Sequence, residues 1–116
     1  MRDEQLILTF EDEADGLRVA TLKGVLTIST LFEFQGFVRG DTSRSLIVDM
    51  THITYVDSAG LGSLINAYVS RQRHGKKLAL VGVNDRVMTI MRITNVDQFF
   101  TMYGTIEEAR SAATTG

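Results

Sequence analysis

Apolar and polar residues alternate along this chain with two periods, and the changes of period mark out its elements. The first apolar run, Leu6-Ile7-Leu8-Thr9-Phe10, is followed by the acidic stretch Glu11-Asp12-Glu13-Ala14-Asp15-Gly16. In the next run Leu17, Val19 and Thr21 alternate with Arg18, Ala20 and Leu22, which is the period of a strand. Asp15-Gly16 is a strong turn signal, so the two runs predict a hairpin. The acidic turn reads as a solvated loop tip, because its carboxylates lack the spacing of a calcium-binding loop. Gly24 then leads to Thr27-Ile28-Ser29-Thr30, and Thr30-Leu31-Phe32-Glu33 has the spacing of a capping box. The helix it predicts has Ile28, Leu31, Phe34 and Val38 near one buried face. Phe37 lies off that face, where it either widens the buried sector or offers a partner contact.

Ser45-Leu46-Ile47-Val48-Asp49-Met50 is short and apolar, as expected of a buried parallel strand, and residues 51–56 read as a loop. A helix is predicted from Asp57 or Ser58, with Leu61, Leu64, Ile65, Tyr68 and Val69 on its apolar stripe and His74-Gly75 at its end. Leu78-Ala79-Leu80-Val81-Gly82-Val83 reads as another buried strand. Asn84 should cap a helix carrying Val87, Ile90 and Met91, and a short last strand is expected near residues 99–103. Thr105-Ile106-Glu107-Glu108 is a second capping box, opening a final helix through Ala113. Strands alternate with helices from residue 17 onward. The expected fold is therefore α/β: a mostly parallel sheet of about five strands with about four helices, the N-terminal strand antiparallel at the edge. Crossover geometry would gather the first three helix starts, residues 27–30, Asp57-Ser58 and Asn84-Asp85, at the carboxyl edge of the strands, where open α/β sheets place their sites.

Composition narrows the function. A chain of 116 residues, 44% hydrophobic and 22% charged, supports one domain over residues 1–116 and is too apolar for disorder. A net charge of −2 gives no reason to expect nucleic-acid binding. The one basic cluster, Arg71, Arg73, His74, Lys76 and Lys77, sits at a predicted helix end, where cations complement the helix dipole. The absence of cysteine excludes a disulfide framework, Cys-ligated zinc and a thiol nucleophile. Met1-Arg2-Asp3-Glu4-Gln5 does not read as a leader, and no run approaches the roughly 20 apolar residues that would span a bilayer. No membrane insertion and a cytoplasmic location are the expectation.

Candidate chemistry concentrates in Asp57-Ser58-Ala59-Gly60-Leu61-Gly62. Locally, Asp57 or Ser58 is an N-cap and the glycines permit close packing, while the small neighbours leave the Ser58 hydroxyl within reach of a kinase. Val56 and Gly60 flank Ser58 where a hydrolase elbow requires two glycines, and His52 and His74 read as surface residues, so no enzyme is expected. Gly60-Leu61-Gly62 is half of a dinucleotide fingerprint with Ile65 at its third glycine, and no phosphate loop is present; no cofactor is implied.

The stretch from Leu46 to Met50 and on through Thr54-Tyr55-Val56-Asp57-Ser58-Ala59-Gly60-Leu61-Gly62 resembles the signature of bacterial anti-sigma factor antagonists, which are STAS domains. The resemblance extends to Leu22-Lys23-Gly24-Val25-Leu26, to residues 87–95 and to Gln98-Phe99-Phe100. It implies a STAS-like single domain in which the serine after the aspartate, here Ser58 after Asp57, is phosphorylated by an anti-sigma factor that is also a serine kinase. The unphosphorylated form would bind that kinase and free a sigma factor, with a serine phosphatase as an optional further partner. Asp57, Ser58, Gly60, Thr27 and Asn84 form the expected partner-binding set. Many similar proteins carry an acidic residue shortly after the second-strand glycine, where this chain has Val25-Leu26-Thr27. The alternative within the same resemblance is a scaffold subunit of a signalling assembly or of a lipid-transport complex.

Overall fold

A computed structural model of the protein describes residues 5–115; the expectation that the charged amino-terminal run is not a leader falls on Met1 to Glu4, outside the described residues. The elements run β1 (Leu6–Glu13), β2 (Leu17–Leu26), α1 (Leu31–Gly40), β3 (Ser45–Val56), α2 (Ser58–Arg73), β4 (Lys77–Val81), α3 (Asp85–Ile93), β5 (Thr101–Tyr103) and α4 (Ile106–Thr115), with short 3-10 turns at Ala14–Gly16 and Asp97–Phe99. The strands form one sheet in the order β1-β2-β3-β4-β5, antiparallel between β1 and β2 and parallel elsewhere. The expected α/β architecture is present, including the antiparallel edge strand.

Strand alternation sorts side chains between two layers. Ala20, Leu22, Leu46, Val48, Leu78 and Leu80 face the core that α1, α2 and α3 cover with Phe34, Leu64 and Met91, each of these last three fully buried. Leu17, Val19, Ile47 and Val81 face the opposite way, onto Ala109 of α4. The site edge is thus the carboxyl end of a sheet with three helices on one face and one on the other.

Four expectations need correction. First, β3 continues through residues 51–56. Leu22 faces both Met50 and Thr51 at a bulge, where the Asp49 carboxylate accepts from the Thr51 amide at 3.0 Å, and pairing resumes at Lys23 with His52. Exposed polar residues on this outer half hide the strand signal. Second, Thr30 makes no side-chain cap. Its hydroxyl donates to the Val25 carbonyl and accepts from the Thr27 amide, both at 2.9 Å, and Ile28 is exposed rather than part of the apolar face. Third, Val69 is exposed, and the buried face of α2 instead runs through Leu61, Leu64, Ala67 and Arg71. Fourth, Arg71 is no surface cation: it is only 3% exposed.

Arg71 points into the base of the domain. Its guanidinium bonds Asp41 at 3.2 Å and donates to the carbonyls of Ser43 and Lys77, each at 2.9 Å, while Arg18 approaches the other Asp41 oxygen at 3.4 Å. Burial pushes the Arg71 pKa below its ordinary value, against the pull of the Asp41 carboxylate. Beyond it the chain leaves α2 through a Schellman turn. Gly75 takes φ +71°, its amide reaching Gln72 and the Lys76 amide reaching Arg71, so the expected left-handed glycine is in place. Phe37 packs on Phe10 with ring centroids 5.3 Å apart and widens the buried sector of α1.

Candidate functional site

At the carboxyl ends of β2 and β3 three short polar devices hold the first turn of α2. Asp57 is the N-cap: one carboxylate oxygen accepts from the Gly60 amide at 2.7 Å, the other from the Ile28 amide at 3.0 Å. One side chain thereby satisfies a helix-end donor and ties the β2–α1 loop to the helix. The Asp57 amide itself reaches the Leu26 carbonyl at 3.3 Å. Gly60 rests on that same carbonyl so closely that a Cβ there would sit 1.9 Å from its oxygen, which explains why this position has no side chain.

Ser58 is the first residue inside the helix and is exposed. Its hydroxyl makes no hydrogen bond within the described residues. Capping therefore belongs to Asp57, and Ser58 is left with no local task. Ile28, whose amide Asp57 holds, is 61% exposed, and Phe32 in the first turn of α1 is 69% exposed.

The remaining predicted residues shape this edge from beneath. Thr27 is only 2% exposed; its hydroxyl accepts from the Ser29 amide and its carbonyl from the amides of Thr30 and Leu31. It folds the loop and does not present a side chain to the surface. Gly60 is likewise buried. Asn84 caps α3 by accepting from the Val87 amide at 2.8 Å and donates to the Ile53 carbonyl of β3 at 3.0 Å; no hydrogen bond joins it to Asp57 or Ser58 among the described residues. Ile28 reads as buried in the sequence because it falls close to helical spacing with Leu31, while Phe32 lies off the expected apolar face and no motif marks it. Among the described residues no cluster of His, Cys, Asp and Glu could hold a metal ion, and no helix is long and apolar enough to cross a membrane.

Residues 2–109 match the STAS domain. The chain belongs to the STAS domain family. This STAS chain is 28% identical over 88 residues to the anti-sigma-B factor antagonist of Staphylococcus aureus, covering 76% of this chain and 82% of that protein. An anti-sigma factor antagonist from Mycobacterium paratuberculosis has the same fold, with a TM-score of 0.81 at 21% identity over 92% of each chain. So does the Bacillus cell fate determinant SpoIIAA, solved in its phosphorylated form, with a TM-score of 0.71 at 14% identity over 92% of this STAS chain and 99% of that one.

Proposed function

We propose that this protein is an anti-sigma factor antagonist, a cytoplasmic binding module without enzymatic activity, whose docking surface centres on Ser58 and is switched off by phosphorylation there. The observation that carries this reading is the division of labour at the start of α2. Asp57 performs the capping, and the neighbouring hydroxyl is exposed and makes no hydrogen bond among the described residues. The exposed Ile28 and Phe32 supply apolar contact area for a partner on the same edge.

Phosphorylation would add about −1.5 to −2 charges at pH 7. The positive end of the α2 dipole accommodates them, so the fold persists. A partner pressed onto the same spot must desolvate that charge beside Asp57, and docking is opposed. The partner in this reading is an anti-sigma factor with serine kinase activity, which binds the bare hydroxyl form and releases its sigma factor. A serine phosphatase would reset the switch.

Incubation with such a kinase and ATP, followed by intact mass measurement and fragmentation, tests the assignment. One phosphate on Ser58, absent from Ser58→Ala, is expected. Modification confined to Thr30, which is buried, or to Thr51 would overturn it.

A further inference from the structure

Some 16 residues of helix separate Ser58 from the other end of α2, a distance of about 24 Å at 1.5 Å per residue. There the sheet runs out of strand. β5 pairs with β4 only from Ala79 onward, so Lys77 and Leu78 have no strand neighbour on that side. Tyr68 and Gln72 of α2 flank the gap on one face of the sheet. On the other face the described side chains of α4 that line it are Ala109, Ala112 and Ala113, too short to fill it. The result is a cavity of about 380 Å³, within the size range of small-molecule sites. Leu46, Ile47 and Leu78 give it apolar walls.

Lys76 and Lys77 line the same cavity, and among the described residues neither ammonium is in an ion pair. Of the acidic side chains at this end, Asp41 is committed to Arg71 and Arg18, and Glu13 to Arg110. The basic run at the end of α2 is thus split by the fold, with Arg71 drawn into the interior and the two lysines left on the rim of an apolar cavity. Apolar walls with uncommitted point charges at the rim match a ligand with an apolar tail and an anionic head. The head should carry a single charge. The carboxyl, negative end of α2 faces this region, and the cavity offers no arginine fork or helix amino terminus of the kind polyphosphates use.

We propose that this cavity binds an amphiphilic carboxylate, its tail between α2 and α4 and its head on Lys76 and Lys77. The proposal does not depend on the role of Ser58. It is tested by titrating the full chain with octanoate and following backbone amide resonances. Acetate serves as the head without the tail and 1-octanol as the tail without the head. Octanoate should shift the amides of Tyr68, Gln72, Leu78, Thr101 and Ala112, whereas acetate should shift none of them. In the double variant Lys76→Gln/Lys77→Gln octanoate should bind about fivefold more weakly, the size of a partly exposed charge interaction, with 1-octanol unaffected. Lys23→Gln, on exposed surface of β2, should change nothing, and Ala113→Phe should block both ligands. The lysine changes lie at the surface and keep the test decisive if the phenylalanine variant fails to fold. Equal octanoate affinity in the double variant, shifts spread over Ile28, Phe32 and Ile93, or no shifts at millimolar octanoate would each overturn the proposal.

Discussion

At one end of α2 Asp57 spends its carboxylate on backbone amides and leaves Ser58 bare, while at the other Arg71 turns inward and spends its guanidinium on Asp41 and two carbonyls. Both motifs stand out in the sequence for their charge, and local chemistry offers both the same explanation: a cap at the start, a dipole-matched cation at the end. Each side chain has a partner close in sequence and one about thirty residues away: Asp57 takes the amides of Gly60 and Ile28, and Arg71 takes the Lys77 carbonyl with Asp41 and Ser43. The fold treats the two ends oppositely because Arg71 meets a fully buried carboxylate, whereas Asp57 meets backbone amides at the surface edge. A helix end becomes a surface or an interior according to what the rest of the chain brings to it.

The comparison breaks most readily at the buried end. Arg71→Ala leaves the fully buried Asp41 carboxylate with Arg18 as its one remaining cation beside the Ser43 amide, and should cost about 3–5 kcal/mol in a denaturant titration. A loss near the 0.5 kcal/mol typical of surface changes would mean that Arg71 is a solvent-side cation after all. At the site end Gly60→Ala must displace the Leu26 carbonyl and should cost about 1–3 kcal/mol, with spectral changes confined to residues around the β2–α1 loop. Asp57→Ala removes two amide acceptors and should cost about 0.5–2 kcal/mol, with faster amide exchange at Ile28 and Gly60. Ser58→Ala should move stability by less than about 0.5 kcal/mol, because the exposed Ser58 hydroxyl makes no hydrogen bond among the described residues. A larger loss from Ser58→Ala than from Asp57→Ala would reverse the roles assigned to the two residues.

Much of this architecture is legible in the sequence because short-range chemistry decides it. The hairpin follows from Asp15-Gly16 and strand alternation, the end of α2 from Gly75, and the starts of α3 and α4 from Asn84 and Thr105, whose oxygens accept the amides of Val87 and Glu108. Thr30 misleads because its hydroxyl has nearer partners in Val25 and Thr27 than the amide of its own helix. The outer half of β3 is polar since its side chains at residues 51, 52, 54 and 55 are exposed, and a buried-strand pattern cannot reveal it. In the site itself Ser58 and Asp57 are identifiable from the motif. Which of them caps, and that Asp57 also holds the Ile28 amide, depends on the contact between two loops twenty-nine residues apart. Thr27 and Asn84 lie at the expected edge, but their side chains are turned to the backbone rather than to the surface.

The central claim is that Ser58 is a docking residue whose charge state the partner reads. Calorimetric binding of the wild-type chain, Ser58→Ala and Ser58→Asp to the anti-sigma kinase, with melting curves for all three, tests it most directly. The account predicts that Ser58→Asp keeps its fold, within about 1 kcal/mol, yet binds about 1–3 kcal/mol more weakly, while Ser58→Ala binds like the wild type and resists phosphorylation. Binding by Ser58→Asp as tight as that of the wild type would contradict it.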